Sequence, residues 1–550
     1  LEFKNDVILE CSCNHPIMIE IDDEVHQILP RDLNESHNVI STKGLTSIKS
    51  ISDNNTDENY IDITVEGTNV FFAGKKDMIL THNSQGSIRG GAATIYYPIW
   101  HYEVEDLLVL KNNRGTEENR ARHMDYGVQL SKMMYERLIN AGNITLFSPH
   151  EVPDLYEAFF ADQELFESLY CQYETDDRIK MKKTVKAIDL FTSLMTERSG
   201  TGRVYIMNVD HANTHGSFIE EEAPIRLSNL CSEITLPTSP LSGTKEEKGE
   251  IALCTLGGVN LGEIEELSDL EESCAILVRA LDEILDYQDY PMIEAETPAK
   301  ARRSLGIGVI NYAYYLTKHS TKYSNGSANR LTHETFEAFQ YYLLKASNGL
   351  AIEKGECAWF NQTKYSNGVL PIDTYKKDID DIVDSKLNLD WEGLRASIVK
   401  YGLRNSTLSA QFPSETSSQI SNATNGIEPP RGLITSKQSK DGVLKQVVPD
   451  YKNLKDRYET VWDIDNNRGY LELVGIMQKF IDQSISANTN YTPSHFTDDK
   501  VPMMLMLKDL MDSYKLGIKT LYYHNTNDGV EDTDVIEVEN KEGCGDTCVL

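Results

Sequence analysis

Apolar and polar residues alternate with a period of two in two short stretches near the start of the chain, residues 7–13 and 60–66. This period is typical of β-strands that have one buried face. A polar segment, residues 52–59, lies between them, and no helical period extends over residues 1–83. The pattern therefore predicts a small all-β domain over residues 1–83.

The pattern changes at Ser84, where helical periods begin to alternate with short apolar runs. Such alternation is typical of α/β architecture and predicts a large domain over residues 84–525. Within it, the spacing of four apolar residues predicts a single amphipathic helix with one apolar stripe, formed by Met124, Val128, Tyr135 and Leu138.

The last segment, residues 526–550, is acidic and poor in apolar residues up to Glu542, which predicts a flexible tail. It ends with Cys544 and Cys548, which are separated by three residues. Two thiols on a tether can exchange with a disulfide elsewhere in the protein at a high effective concentration. A zinc half-site is the alternative, but the sequence offers no matching pair of Cys or His residues.

Composition and charge narrow the range of functions. A chain of 550 residues predicts two or more domains, and its formal net charge of −33 argues against a general nucleic-acid binder. Backbone amides and local cations can still hold a small phosphorylated substrate. The sequence has no apolar run long enough to span a membrane and no signal peptide, and its nine cysteines, an odd and sparse number, indicate the reducing cytoplasm. Because the first residue is Leu1, we expect the sequence to begin inside a gene or after processing.

The main candidate for chemistry is a cysteine with an amide two positions before it and a carboxylate two positions after it, in the order Asn229, Cys231 and Glu233. If this segment is extended, the three side chains project from the same face. The carboxylate could then act as a base, the amide could hold a hydroxyl group, and the thiol could be the reactive group. The alternative is that Cys231 is a small buried residue and Glu233 a surface charge.

Two further segments have the residue types of a ligand site. Residues 84–91 form a glycine-rich loop that contains one arginine, Arg89, and residues 413–419 place several hydroxyl groups around a predicted helix start. Free backbone amides at a helix start can hold a diphosphate, although Ser and Thr also cluster there as ordinary caps.

From Ser84 onward the sequence resembles the large, catalytic subunit of class I ribonucleotide reductases. The matching segments are those above together with residues 108–122, 254–257, 305–316, 403–432 and 484–491. The resemblance implies a ten-stranded α/β barrel, of which this chain holds a part, with Cys231 on a central loop. It also implies synthesis of deoxyribonucleotides by radical chemistry.

The resemblance implies a role for each matching residue of the central segment. Cys231 becomes a thiyl radical that abstracts the 3′-hydrogen of the ribose, Glu233 accepts the proton of the 3′-hydroxyl group, and Asn229 binds the substrate. Cys254 is one of two thiols that reduce the 2′-carbon, and its partner thiol is expected upstream of the matching region. Such a radical needs a closed site that positions its substrate.

The same resemblance places Tyr522 and Tyr523 on a path that carries the radical to Cys231, and it makes Cys544 and Cys548 the thiols that re-reduce the active-site disulfide. Substrate binding is assigned to eight residues: Ser84, Gln85, Arg89, Pro413, Ser414, Glu415, Thr416 and Ser417. The first three match the family's specificity loop, which couples a bound effector nucleotide to the choice of base. A glutamate beside a phosphate has no explanation in the sequence.

The implied enzyme binds no metal and no cofactor through this chain. Its radical comes from a separate, metal-containing small subunit, its electrons come from thioredoxin or glutaredoxin, and ATP and deoxynucleoside triphosphates act as effectors. Ribonucleoside diphosphates are the expected substrates and a homodimer is the expected assembly, without nucleic acid or membrane. The alternative is an inactive remnant that serves only as a binding partner.

The end of the all-β domain resembles the C-terminal splice junction of inteins of the HINT type. His82, Asn83 and Ser84 combine an imidazole, an amide that can cyclise and a hydroxyl nucleophile. By resemblance, His15 activates the upstream junction and Asp62 assists. Asn83 cyclises, and Ser84 is the first residue of the spliced product.

Two departures from the intein pattern shape this prediction. Asn69 stands where many inteins have histidine, and the opening segment with its own nucleophile is not in the sequence. We therefore expect a split intein whose N-terminal piece is fused to the N-terminal half of the reductase, in a bacterium or a bacteriophage. Splicing would precede activity, because the junction interrupts the specificity loop. The alternatives are a β-domain that no longer splices and an autoprocessing module with an inactive cargo.

Overall fold

The computed structural model describes residues 92–241, 249–253, 255–290, 292–383, 386–439 and 442–527, and before residue 92 it describes the backbone of seven strands. The chain divides into two compact units, residues 1–93 and 94–550. The predicted domain boundary, between residues 83 and 84, lies inside the first unit and close to its end.

Every element described in the first unit is a strand: β1 Glu2–Phe3, β2 Ile17–Ile21, β3 Glu24–Ile28, β4 Asn38–Ser41, β5 Gly44–Ser50, β6 Val70–Ala73 and β7 Ile79–His82. The strands form one antiparallel sheet in the order β1-β5-β4-β2-β7-β6, with β3 paired to β2. The stretches in which the sequence predicts strands, residues 7–13 and 60–66, lie outside the described residues. Strand β7 ends at His82, directly before the predicted splice residue Asn83.

The described strands of the second unit are β8 Thr94–Pro98, β9 Asp125–Leu130, β10 Asn143–Phe147, β11 Lys182–Lys186, β12 Val204–Asn208, β13 Thr255–Asn260, β14 Leu305–Ile310, β15 Ile434–Ser439, β16 Gly442–Val447, β17 Ala487–Tyr491 and β18 Thr520–Thr526. Strands β10 and β11 form an antiparallel pair, and β15 and β16 form a hairpin.

The α-helices described in this unit are α1 Val104–Leu108, α2 Lys132–Ile139, α3 Pro153–Ala161, α4 Gln163–Thr175, α5 Ala187–Thr201, α6 Val209–Thr214, α7 Asp269–Tyr287, α8 Ile293–Arg302, α9 Tyr312–Lys318, α10 Asn329–Lys354, α11 Pro371–Thr374, α12 Trp391–Tyr401, α13 Glu415–Ile420, α14 Tyr451–Leu454, α15 Arg468–Gln478 and α16 Met503–Lys515. None of the helices described is both long enough and apolar enough to cross a membrane.

The central strands follow one another in a defined order. A five-stranded sheet has the order β17-β18-β12-β9-β8, in which β8, β9 and β12 are parallel, β18 is antiparallel to β12, and β17 is parallel to β18. The order continues beyond β17, because Ile485 forms a parallel bridge with Gln411, and Ser409 forms one with Ile307 of β14. Strand β14 is in turn parallel to β13.

The strands therefore run from β8 to β13 with one reversal of direction, between β12 and β18. No pairing of β8 with β13 is found among the described residues, so the ladder is open at these two strands. The mixed α/β architecture agrees with the expectation from the sequence. The closed barrel of ten strands stays a prediction.

Strands β9, β12 and β14 are buried along their whole length, as expected for parallel strands that are covered on both faces. Helix α5 packs on β12 and β18, and the long helix α10 packs on α7. The core of the second unit thus lies between the strands and an outer layer of helices.

The prediction of a single helix through Met124, Val128, Tyr135 and Leu138 is wrong. Val128 lies in β9, and the helix that contains Tyr135 and Leu138, α2, begins only at Lys132. A short strand buried on both faces cannot be distinguished from a buried helical segment by its apolar spacing. Gly127 packs closely against the neighbouring strand β8, because a Cβ atom there would lie 2.4 Å from the ring of Tyr96. This packing between neighbouring strands favours a strand at this position.

Candidate active site

The segment that contains Asn229, Cys231 and Glu233 is a turn, so the extended conformation in which the three side chains would share a face is not adopted. The amide of Ser232 donates to the carbonyl oxygen of Asn229 (3.2 Å), and Ser232 has a φ of +66°. The left-handed conformation is costly for a residue with a side chain and needs support from its surroundings. The turn nevertheless brings the predicted side chains together, because Asn229 Nδ2 donates to Glu233 Oε1 (2.8 Å).

Three consecutive carbonyl oxygens of this turn are bound by residues far away in the sequence. Ser486 Oγ donates to the carbonyl oxygen of Cys231 (2.5 Å), and Thr520 Oγ1 donates to that of Ser232 (2.7 Å). The amide of Ser484 donates to the carbonyl oxygen of Glu233 (2.9 Å). These bonds come from β18 and from the segment that leads into β17, so the central strands fix the path of the turn.

Tyr96 of β8 supports the strained residue from the opposite direction. Its hydroxyl group donates to the carbonyl oxygen of Asn229 (3.0 Å) and lies 2.9 Å from Ser232 Oγ. The left-handed conformation of Ser232 is therefore supported by two strands, β8 and β18.

Glu233 is almost completely buried, with 2% of its surface exposed. This burial raises its pKa above the ordinary value of a glutamate, while hydrogen bonds from Asn229 and Ser486 act in the opposite direction. The distance from Ser486 Oγ to Glu233 Oε2 is 3.3 Å. A carboxylate in this environment binds a proton more tightly than one in water, which suits a general base that works near neutral pH.

The thiol of Cys231 is held in its protonated form. Burial, with the charge of Glu233 as the next cause, raises the pKa of Cys231 to about 11. Nucleophilic cysteines instead have a lowered pKa, because the thiolate is the attacking species. The environment therefore favours chemistry in which Cys231 loses a hydrogen atom over chemistry in which it attacks as an anion.

Two stacked tyrosines adjoin this thiol. The hydroxyl oxygen of Tyr522 lies 3.6 Å from Cys231 Sγ and 2.5 Å from the hydroxyl oxygen of Tyr523. The two rings are stacked with 3.7 Å between their centroids and an angle of 25° between their planes. Three groups that can each lose a hydrogen atom are thus in contact, in the order Tyr523, Tyr522, Cys231.

Tyr523 is also bound by a cation. Arg203 Nη1 donates to its hydroxyl oxygen (2.5 Å), and the guanidinium group lies 4.1 Å from the centroid of its ring. Asp125 holds this arginine at 3.8 Å and accepts a hydrogen bond from the hydroxyl group of Tyr205 (3.0 Å). The ring of Tyr205 lies against Tyr522, with 4.8 Å between centroids.

A comparison with protein-family models identifies the family of this chain. The model described as ribonucleotide reductase, barrel domain, matches residues 59–524. The chain belongs to the ribonucleotide reductase family. The resemblance inferred from the sequence is confirmed at this level. The match begins at residue 59, before the predicted splice junction at Asn83.

Curated relatives agree with this assignment. The chain is 64% identical over 468 residues to the ribonucleoside-diphosphate reductase subunit alpha of Haemophilus influenzae, an alignment that covers 85% of this chain and 61% of that protein. It is 64% identical over 463 residues to the ribonucleoside-diphosphate reductase 1 subunit alpha of Escherichia coli, which covers 84% of this chain and 61% of that protein. It is 51% identical over 461 residues to the ribonucleoside-diphosphate reductase subunit alpha of Enterobacteria phage T4, which covers 83% of this chain and 60% of that protein. The chain spans about three fifths of the length of these relatives.

The segment predicted to bind the substrate in this reductase-family chain leads into α13, so the predicted helix start is present. Ser414 is buried, and its hydroxyl group contacts that of Ser418 and accepts a hydrogen bond from the amide of Gly426 (2.8 Å). Asn425 Oδ1 accepts a bond from the amide of Glu415 (2.9 Å). The segment is thus fixed by its neighbours.

Glu415 is exposed and has a φ of +40°. Its charge is one of the smaller causes that raise the pKa of Cys231. Pro413 is half-buried and Ser417 is exposed. The side chain of Thr416 lies outside the described part of the chain.

Several predicted site residues cannot be placed. Those outside the described residues are His15, Asp62, Asn83, Ser84, Gln85, Arg89, Cys254, Cys544 and Cys548. His82 is described only as the last residue of β7. Strand β13 begins directly after Cys254. Among the described residues, no group of three or more His, Cys, Asp or Glu side chains could hold a metal ion.

Five residues that hold this site in place carry no local motif that predicts this role: Tyr96, Arg203, Ser484, Ser486 and Thr520. None lies in the Asn229–Glu233 segment, and only the last three stand near a predicted motif. One signal in the sequence could have pointed to some of them, namely the many hydroxyl and amide side chains between Asn467 and Thr492. Many of these side chains are buried in the structure.

Proposed function

We propose that this chain is the catalytic part of a ribonucleoside-diphosphate reductase large subunit and that Cys231 carries the thiyl radical that starts the reaction. The contact of Tyr523, Tyr522 and Cys231 in series is the observation that carries this proposal. The family membership and the protonated state of the thiol support it.

The radical enters through the two tyrosines. A hydrogen atom passes from Tyr522 to a phenoxyl radical on Tyr523, and a second passes from the thiol of Cys231 to the phenoxyl radical formed on Tyr522. Each step exchanges one hydrogen atom between groups in contact, so no net charge moves through the buried site. The first oxidation of Tyr523 needs an external one-electron oxidant, which we assign to a separate, metal-containing small subunit.

The thiyl radical of Cys231 then takes the 3′-hydrogen atom of a ribonucleoside diphosphate, and Glu233 accepts the proton of the 3′-hydroxyl group. Loss of the 2′-hydroxyl group as water requires two electrons and two protons, which two thiols supply as they form a disulfide. Cys254 is one of these thiols. Finally, Cys231 returns the hydrogen atom to the 3′-carbon, which regenerates its own radical.

Binding and turnover require further groups. We assign the diphosphate to the segment from Pro413 to Ser417, and the choice of base to the loop that contains Ser84, Gln85 and Arg89, under the control of ATP and deoxynucleoside triphosphate effectors. The tail thiols, Cys544 and Cys548, reduce the active-site disulfide and are themselves reduced by thioredoxin or glutaredoxin. The assembled enzyme is expected to be a homodimer.

We also propose that the chain is a precursor. The His82-Asn83-Ser84 sequence begins at the last residue of strand β7 and supports excision of residues 1–83 by cyclisation of Asn83, with Ser84 joined to an N-terminal part of the reductase. The open strands β8 and β13 and the coverage of about three fifths of the relatives support the need for such a part.

The test of the precursor is co-expression of this chain with a candidate N-terminal half, followed by mass spectrometry. The expected product is ligated and lacks residues 1–83, and Asn83→Ala abolishes it. If no ligation occurs with any such half, the splicing proposal fails.

The test of the reductase is the conversion of CDP to dCDP by the joined product, mixed with a small subunit and thioredoxin. Cys231→Ser is expected to remove activity, because a serine hydroxyl does not yield its hydrogen atom to a phenoxyl radical. The matched control is Cys171→Ser, at an exposed thiol outside the site. A product that is spliced correctly but inactive would instead support the alternative, an autoprocessing module with an inactive cargo.

A further inference from the structure

The stacking of Tyr522 and Tyr523 conflicts with ordinary strand geometry. The two residues are consecutive in β18, and consecutive side chains of a β-strand point to opposite faces. Their rings nevertheless lie 3.7 Å apart on the same side, with their hydroxyl groups in hydrogen-bond contact. The backbone of β18 must therefore depart from a regular strand at this point.

The pairing of β17 with β18 shows the departure. Ala487 pairs with Leu521, whereas Thr489 pairs with His524. Two residues of β18, Tyr522 and Tyr523, are thus opposite a single residue of β17, which is the definition of a β-bulge. The pairing of β12 with β18 also reaches no further than Leu521. The bulge is what allows the two rings to face the same way.

A bulge removes backbone groups from the ladder, and buried backbone groups need other partners. Arg198 of α5 supplies donors for both carbonyl groups, through Nη1 to the oxygen of Tyr522 (2.9 Å) and through Nη2 to the oxygen of Tyr523 (3.3 Å). Asn488, the residue opposite the bulge, accepts the amide of Tyr523 on its Oδ1 (2.9 Å).

Arg198 is fully buried, with 0% of its surface exposed. Among the described residues no ion pair is found for it, and it also donates to the carbonyl oxygen of Val204 in β12. A buried guanidinium group is costly to desolvate. Its two terminal nitrogens donate to the backbone of the tyrosine pair and of the neighbouring strand, and Nη2 also lies 3.5 Å from Thr489 Oγ1, whereas no partner is found for Nε among the described residues. These contacts indicate a role in fixing that backbone.

The orientation of Asn488 is fixed as well. Its Nδ2 donates to Oε1 of Glu428, so its Oδ1 is left to face the amide of Tyr523. An asparagine side chain that was free to rotate would present either atom to this amide.

We propose that Arg198 and Asn488 are positioning residues that hold the bulge of β18 and, through it, the contact between the two phenol groups. Neither touches a reacting atom. Arginine is suited to this task because its planar fork reaches two successive carbonyl groups at once, whereas the ammonium group of a lysine keeps the charge without the fork. The geometric part of this proposal is independent of the reductase function, and its catalytic consequence rests on that function.

The geometric part is tested in the full 550-residue chain, with 3-fluorotyrosine placed at position 523 and observed by ¹⁹F NMR. The ring current of Tyr522 makes this resonance a reporter of the stacking. Arg198→Lys and, separately, Asn488→Ala are expected to move the resonance by more than its line width. Arg303→Lys is the matched control, since this buried arginine binds Asp282 and Asp286 and no atom of the tyrosine pair. Two unmoved resonances in folded variants would overturn the proposal.

The catalytic consequence is tested in the assembled enzyme. Both variants are expected to lower kcat by about 10- to 100-fold with an unchanged KM for the substrate, because misplacement of reacting groups by about 1 Å has effects of this size. A resonance that moves while kcat stays at the wild-type level would overturn the assigned role in radical transfer. If the enzyme with the wild-type chain is itself inactive, the proposed function fails, and the ¹⁹F result still decides the role of the two residues in the bulge.

Discussion

Tyr522 and Cys231 are separated by 291 residues in the sequence, yet the hydroxyl oxygen of the tyrosine lies 3.6 Å from the sulfur of the cysteine. Burial raises the pKa of both groups, so both keep their hydrogen atoms at neutral pH. This contact joins the tyrosine pair on the last described strand to the turn that carries the thiol. The predictions that follow depend on it and on the groups around it.

The first prediction concerns the hydroxyl group between the thiol and Tyr523. Tyr522→Phe keeps the stacked ring and removes the hydroxyl group that we propose exchanges hydrogen atoms, so kcat is expected to fall to background. Stability is expected to decrease by only about 1–2 kcal/mol, the cost of losing a buried hydrogen bond. Turnover and the midpoint of urea unfolding measure the two effects. Tyr312→Phe, at another buried tyrosine whose hydroxyl contacts Thr332, should keep full turnover; turnover that survives in Tyr522→Phe contradicts the proposed path.

The second prediction concerns Glu233 as a base. Since burial raises its pKa, the carboxyl group ionises only at a pH above the ordinary range for glutamate, and kcat/KM should rise with pH through that raised pKa. Glu233→Gln keeps an acceptor oxygen for Asn229 Nδ2 and presents an NH2 group to the hydroxyl oxygen of Ser486, but it cannot take a proton, so its kcat should fall by about 10²- to 10⁴-fold. A profile of kcat/KM against pH checks both points. A glutamine variant that keeps the wild-type rise with pH would show that another group is responsible for it.

The third prediction concerns Glu428, which Asn488 binds beside the bulge. Burial is the main cause that raises its pKa from 4.5 to about 7. A raised carboxyl pKa stabilises the folded state fully below the unfolded pKa, and this contribution is lost as the pH rises from about 4.5 to about 7. Glu428→Gln should therefore be more stable than the wild type at pH 8, by roughly 3 kcal/mol at most, and about equal to it at pH 4.5.

Urea unfolding of both chains at pH 4.5, 6 and 8 measures this difference. The glutamine side chain can still accept the bond from Asn488 Nδ2, so a loss of the hydrogen bond does not obscure the result. An equal difference between the two chains at all three pH values would contradict the assigned titration.

The fourth prediction concerns strands β8 and β13, whose outer edges have no partner strand among the described residues. If the N-terminal part of the reductase supplies the strands between them, the amides along these edges become paired. Hydrogen exchange in β8 and β13 should then slow when the N-terminal part is joined. The central strands β9 and β12 are the internal control, because both of their edges are already paired. Unchanged exchange in β8 and β13 would argue against closure of the barrel at this position.

The sequence was sufficient for the family and for the grouping of Asn229, Cys231 and Glu233, because these residues are close in the chain and their chemistry is distinctive. It was not sufficient for their conformation. The alternation rule groups the three side chains only if the segment is extended, whereas the observed turn depends on donors from Ser484, Ser486 and Thr520 that no local pattern relates to it.

The same limit applies to the tyrosine pair. Two consecutive tyrosines in a strand would be assigned to opposite faces, and only the register of β17 against β18 reveals the bulge that turns both rings to one side. Arg198 likewise has no marker in the sequence, since an arginine inside an amphipathic helix ordinarily faces water. The bulge and the role of Arg198 both depend on contacts between segments that are distant in the sequence.

The three hydrogen bonds to the carbonyl groups of the turn that contains Cys231 also determine when this site can form during synthesis. Ser486 follows Cys231 by 255 residues, and Thr520 follows Ser232 by 288. During synthesis the thiol is therefore made long before the groups that enclose it, and it can reach its final environment only when the last described strand has left the ribosome. We expect ribosome-bound chains that end before Ser484 to expose the Cys231 thiol to rapid alkylation, and released chains that include β18 to protect it. A reactive centre built in this way cannot form in a chain that ends before these donors.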